Sequence, residues 1–301
     1  MAGYSPDQLK AMYASLPGPT AQEIANYYIN NPNGPGSKMK GRDAMKGTAP
    51  PIVLADGERV TGRLLIGADG LWSNVRKQVI SDGPPRVSGH TTYRSVIPTE
   101  EMPEDLRWNA ATLWCGPKCH IVHYPLSGWK VFNLVVTYHN DAPEPVAGKP
   151  VSDEEVMQGF GHVHARAQEI IRHGKNWRLW VLCDRDPAER WVDGRVALLG
   201  DAAHPMLQYF AQGACQAMED AVCLSHMLSH HDDQATALEA YRAQRFPRTA
   251  RVQMLSRAIG EHIYHPAGEH ARIRNAIMSS KSQEDYFGDL TWLYGGTGLA
   301  G

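Results

Sequence analysis

The stretch RVALLGDAAHPMLQYFAQGACQAMEDAVCLSHML, residues 195–228, decides how this chain folds. Val196 to Leu199 form a short unbroken apolar run, the pattern of a strand covered on both faces. The run stops at Gly200-Asp201, and a loop carrying His204-Pro205 and Leu207-Gln208-Tyr209 leads into a helix expected to start near Gln212-Gly213-Ala214. Ala214, Ala217, Met218, Ala221, Val222 and Ser225 recur at helical spacing, so the helix is expected to lie close on a sheet through that stripe. Cys215 and Cys223 read as small core residues of the same helix. Asp201 then stands beside a helix N-terminus. Its carboxylate can accept hydrogen bonds from a polyol, while the amides near Gln212 and Gly213, with the positive end of the helix dipole, suit an anion in front of them.

Residues 64–79, LLIGADGLWSNVRKQV, repeat this architecture as an apolar strand, then Asp69-Gly70, then a short helix that Ser73 can cap, with Arg76 in its first turn. Gly70 lets the backbone turn tightly after the strand. Taken in this order, the two segments resemble the Asp-Gly and Gly-Asp motifs of the FAD-dependent aromatic hydroxylases, the single-component flavoprotein monooxygenases. Pro247-Arg248, the VQMLSRAIG stretch from Val252 and Trp292-Leu293-Tyr294-Gly295 also look like that family. The resemblance begins near Pro51 and runs to the end of the chain.

It implies an α/β fold of mixed character, with a Rossmann-like FAD/NAD(P)-binding lobe over 51–85 and 190–301, C-terminal helices included, and an antiparallel-sheet substrate lobe over 86–189. It implies FAD as cofactor and NADH or NADPH as transient reductant. Asp201 would hold the ribityl chain, with Gly200 and Pro205 shaping its loop. Gln212, Gly213 and Ala214 would face the pyrimidine edge of the ring. Asp69, Gly70 and Arg76 would lie near the pyrophosphate.

Between the motifs, Trp108, Trp114, Trp129 and Tyr138 with frequent alternation read as an antiparallel sheet with polar turns such as Ser127-Gly128. In HIVHYPL the period of two puts His120, Val122 and Tyr124 on one face, and Ile121 and His123 on the other. A phenol becomes a far better carbon nucleophile as its proton leaves, so an imidazole in its pocket is chemically apt. His120 is the candidate to share or take that proton. Gln208 would orient the phenol or carboxylate, and Tyr124 and Tyr209 would complete the substrate contacts. The resemblance implies hydroxylation of a small phenolic acid by dioxygen, specifically 3-hydroxybenzoate to 2,5-dihydroxybenzoate (gentisate). Salicylate- or hydroxynicotinate-like acids are the alternative substrates.

Cys115, Cys119, His120 and His123 are zinc-like in type, but no second pair follows and alternation separates the two histidines, so no metal is expected. His162 and His164 lie two apart on an expected helix and point apart. Family members open with a strand, a Gly-x-Gly-x-x-Gly turn and a helix that take the ADP half of FAD. Here the first fifty residues read instead as a helix over roughly Pro6 to Ile29, interrupted at Pro17 to Pro19, and a Pro/Gly-rich segment with Gly34, Gly36 and Gly41. The lobe is therefore expected to be N-terminally incomplete, with an exposed apolar seam, and a non-catalytic flavoprotein fragment is the second reading.

Across 301 residues the formal net charge of -2 is mixed along the sequence, which argues against nucleic acid and acidic-lipid surfaces as partners. No run approaches a membrane span. The five scattered cysteines fit a reducing cytoplasm. Arg242, Arg245, Arg248 and Arg251 are expected on a solvated helix face or at a subunit contact, such as a homodimer's.

Overall fold

The computed structural model describes residues 52–297; the helix expected over Pro6 to Ile29 and the segment with Gly34, Gly36 and Gly41 lie outside them. In chain order the strands are β1 (Ile52–Val53), β2 (Arg59–Val60), β3 (Leu65–Gly67), β4 (Arg86–Pro98), β5 (Thr112–Gly116), β6 (Cys119–Leu126), β7 (Val131–His139), β8 (Ala147–Pro150), β9 (Arg178–Asp184), β10 (Val192–Asp193) and β11 (Val196–Leu198). The helices are α1 (Asn74–Val79), α2 (Asp153–Gln158), α3 (Ala165–His173), α4 (Gly213–His230), α5 (Gln234–Ile259), α6 (Gly268–Ser280) and α7 (Gln283–Tyr294), with a π turn at Gly260–Tyr264. The fold is mixed helix and sheet, as expected. None of these helices is long and apolar enough to cross a membrane.

Two units divide the chain. The first holds the described residues up to Pro85, Asp184–Arg257 and Ser280 onward; the second holds Arg86–Cys183 and Ala258–Ser279. Residues 258–279, which the sequence reading grouped with the FAD lobe, thus cluster with the sheet.

In the first unit β11 lies between β10 and β3, parallel to β3 with Ala197 opposite Ile66. All three β11 residues are buried, which is why the run is apolar without alternation. Ala197, Leu198, Ala202, Cys223, Leu238 and Tyr241 lie in its core. Helix α4 docks differently from the sequence reading. Gln216, Asp220, Cys223 and Leu224 are its buried residues, while Met218 and Val222 are 63% and 59% exposed. Cys215 is exposed as well, and only Cys223 is a core cysteine here. The inward face is partly polar because Asp220 and Gln216 bind an arginine of α5, as described below. That arginine, Arg245, is buried, so the run of arginines does not form a solvated face.

The second unit is built on a six-stranded sheet of order β5-β6-β7-β4-β9-β8. β4 with β7, β5 with β6, β6 with β7, and β8 with β9 are antiparallel. Their register sorts the side chains by face. Ile97, Phe132, Leu134, Val136, Cys119 and Ile121 share one face and pack in a core with Val156 of α2 and Ile170 of α3. His120 lies opposite Thr137, Thr137 opposite Thr92, and His139 opposite His90, so these side chains share the other face. Ser127 and Gly128, both at positive φ, make the β6–β7 turn. His162 and His164 are not helical: they precede α3, and the His164 side chain caps it by accepting from the Arg166 amide at 3.2 Å.

Candidate functional site

The Gly-Asp loop in the first unit is shaped by backbone demands and held by charge. Gly200 has φ +62, and a Cβ there would meet the Ala217 Cβ at 3.1 Å, so a glycine admits both the left-handed turn and the close approach of α4. The Gly200 amide donates to Asp220 Oδ2 at 2.9 Å, an oxygen that also sits 2.5 Å from His204 Nε2. Arg245 donates to the other oxygen of Asp220 at 2.7 Å, to Glu219 at 2.6 Å and to Gln216 Oε1 at 2.7 Å. Arg248 binds Glu219 and the carbonyls of Trp292 and Leu293. Burial pushes the Asp220 carboxyl up, but His204 and Arg245 outweigh it and hold the group below the usual carboxylate range. Buried ions in such a network are tolerable because each is paired.

From the opposite side, Arg76 of α1 donates to the carbonyls of Ala202 and Ala203 at 2.9 and 2.6 Å and pairs with Asp82 at 2.7 Å. Asp82 also binds Arg185 at 3.0 Å. Arg76 is fully buried and already engaged, so it is a clamp on the Gly-Asp loop rather than a cation presented to a phosphate. Asp69 is similarly committed. Its carboxylate accepts from the Ser73 hydroxyl and from the Asn74 and Val75 amides at 2.7 and 3.2 Å, which caps α1. Gly70, at φ +74, makes the turn that allows this. Gln253 donates to the carbonyl of Pro205 at 3.0 Å, fixing the middle of the loop.

Asp201 itself is left exposed. A Cβ at Gly213 would lie 3.8 Å from Asp201 Oδ1, so the carboxylate stands directly at the start of α4. The partial burial that remains raises its carboxyl above the usual range, with His204 pulling the other way. No side chain caps α4: Gln212, at the cap position, sends its amide to the Tyr294 hydroxyl at 3.0 Å. An outward carboxylate beside uncapped helical amides fits the ribityl chain and polar ring edge of a flavin. Ala214 is exposed in the first turn, and Pro205 is buried. Gln208 and the buried Tyr209 sit on the short turn Gln208–Phe210, which ends at Ala211 with φ +51.

In the second unit His120 is 2% exposed, and Nδ1 lies 2.9 Å from Nε2 of His265. Tyr264 meets the His120 ring edge-on with centroids 4.8 Å apart. Burial, and next the neighbouring His265 and His90, hold His120 well below the usual imidazole range, so it is neutral at neutral pH. Tyr124, two positions beyond Val122, shares the His120 face and is half-buried. Sequence reasoning did not find His265, Asp220 or Arg245. An acidic residue amid the small residues of α4, with four arginines spaced along α5, was the available signal for the last two.

Comparison with known proteins supplies the family. The profile described as FAD binding domain matches residues 42–256. The 3-hydroxybenzoate 6-hydroxylase 1 of Aquipseudomonas alcaligenes is 57% identical over 81% of this chain and 62% of its own length. The same organism's 3-hydroxybenzoate 6-hydroxylase 2 is 44% identical over 80% of this chain and 75% of its own length. The chain therefore spans about three-fifths to three-quarters of these curated relatives. Among solved structures, HpxO of Klebsiella pneumoniae complexed with FAD and uric acid aligns with TM-score 0.70 at 24% identity, covering 89% of this chain and 69% of that one. A salicylate hydroxylase substrate complex aligns with TM-score 0.68 at 24% identity, covering 83% and 68%. These two show the fold. With a profile match over most of its residues and relatives of this identity, the chain belongs to the FAD-dependent aromatic hydroxylases.

Proposed function

We propose that this chain acts as an FAD-dependent, NAD(P)H-consuming monooxygenase that converts 3-hydroxybenzoate to 2,5-dihydroxybenzoate. The observation that carries the reading is the buried, neutral His120, whose Nδ1 is engaged by His265 and whose ring is thereby oriented. When bound, FAD with its reductant and dioxygen supplies an electrophilic oxygen. Everything else falls to the protein. Asp201 binds the ribityl chain, and the α4 amides at Gln212, Gly213 and Ala214 receive the ring edge. Gly200, Pro205, Asp69, Gly70 and Arg76 serve by holding that loop and turn in place.

A free phenol titrates near 10 and an imidazole near 6.5, so proton removal needs a pocket that favours the phenolate. His120 accepts the phenolic proton through Nε2, since Nδ1 is committed to His265. Gln208 orients the acid with its amide, and Tyr124 and Tyr209 supply wall and hydroxyl contacts. Loss of that proton makes the ring carbon para to the phenol oxygen strongly nucleophilic, and that carbon is the position hydroxylated in 2,5-dihydroxybenzoate.

His120→Ala is expected to slow product formation about a hundredfold, the low end for losing a general base, while retained flavin stays at the wild-type level. Parallel loss of bound flavin and product would assign His120 to folding instead. The names of the relatives, both 3-hydroxybenzoate 6-hydroxylases, support the substrate.

A further inference from the structure

His120 is one end of a row. Strand register puts His90 of β4 directly across from His139 of β7, and His139 two positions from Thr137, the partner of His120. Side chains two apart on a strand share a face, so three strands deliver three histidines to one side of the sheet. His265, just after the π turn, closes the row. Its Nε2 is 2.9 Å from His120 Nδ1, and its ring centre is 5.2 Å from that of His90 in an edge arrangement. His90 and His139 are 4.2 Å apart centre to centre. At the far end His139 Nε2 meets Asp141 Oδ1 at 3.1 Å, with side chains 35% and 77% exposed. The row thus runs from a buried ring to solvent without leaving the second unit.

We propose that His120, His265, His90 and His139 form a proton conduit that carries the substrate's phenolic proton from the buried sheet face to water. As a path for that proton it rests on the reading of His120 above. The phenolic proton arrives at His120 Nε2 while the proton on His120 Nδ1 passes to His265 Nε2. His265 releases from its other nitrogen to His90, directly or through one water, and His90 passes on to His139. His139, held by Asp141, gives a proton to solvent. Each imidazole ends neutral with its proton on the opposite nitrogen, and the net result is a phenolate inside and one proton outside.

The electrostatics agree with transfer rather than storage. Burial first, then His90 and His139, push His265 down to about 3, so a positive charge does not rest there at neutral pH. Burial first, then His265 and His90, lower His120 in the same way. Cys115 of β5, opposite His120, and Tyr264 also lie against the row, and Tyr124 shares the His120 face.

The test uses the ligand-free chain labelled with nitrogen-15 histidine, reading exchange with water of the proton shared by His120 and His265. His90→Phe and the solvent-end variant His139→Gln are expected to slow it about tenfold or more, and added imidazole to restore it. Stopped-flow mixing with 3-hydroxybenzoate should show phenolate appearing slower by a similar factor, with affinity within about twofold of wild type. Unchanged exchange in both variants overturns the conduit, and so does slowing that imidazole does not restore. Exchange that behaves as expected, in a chain that neither binds nor ionises 3-hydroxybenzoate, upholds the conduit and overturns the substrate reading.

Discussion

Asp201 carries the flavin reading in a single side chain. It is exposed, stands at an uncapped helix start, and makes no structural contribution comparable to that of Asp220. Asp201→Asn should therefore weaken FAD about tenfold, roughly 1.4 kcal/mol, by the loss of a charged hydrogen bond to the ribityl chain. Unfolding should stay within about 0.5 kcal/mol of wild type, as for an ordinary surface change. Flavin fluorescence titration beside denaturant melts checks both, and a variant that keeps full affinity would remove Asp201 from the site. This residue was legible in sequence because the strand end, the glycine and the following helix lie within one short segment. Asp220 and Arg245 were not, because their burial depends on a contact between helices, 25 residues apart, that local patterning does not encode. Arg76 shows the converse failure: its position after Asp-Gly was read correctly, but its guanidinium turns to the Ala202 and Ala203 carbonyls, 126 and 127 residues away.

Among the elements, α1 shows how a short helix can be fixed by its cap. It has only six residues, too few to persist alone, and the Ser73 hydroxyl accepts from the Arg76 amide at 2.8 Å. The same hydroxyl donates to Asp69, joining the Asp-Gly turn to the helix that carries Arg76. Ser73→Ala should cost about 1 kcal/mol, seen as a lower denaturant midpoint at unchanged slope. An unaltered midpoint would mean that Arg76 and Asp82 hold α1 without its cap. The cap was readable from the sequence, and so were the faces of β6, because a period of two leaves no choice once one residue is placed. The buried face of α4 was misread. Small apolar residues at helical spacing marked a stripe, but the buried charges of the opposite side decided the docking, leaving Met218 and Val222 outside.

At the scale of the molecule, the histidines of the sheet unit set its response to acid. Burial holds His123 at about 4, and its two ring nitrogens are buried without a hydrogen-bond partner among the described residues. His265 lies at about 3. Once unfolded, both would bind protons near pH 6.5, so between that pH and about 3 the unfolded chain holds more protons than the folded one. Stability is fully present above pH 6.5 and falls as pH drops through this window, by up to about 1.4 kcal/mol per pH unit per histidine. Urea melts at pH 7.5 and 5 should show it, and His123→Phe should flatten the slope. Equal midpoints at the two pH values would mean that these rings protonate in the folded state. The measurement that bears most directly on the central claim is the visible spectrum of the purified chain after FAD is added and the excess removed. The chain is expected to retain a flavin band that shifts when 3-hydroxybenzoate is added. A folded chain that retains no flavin would contradict that claim.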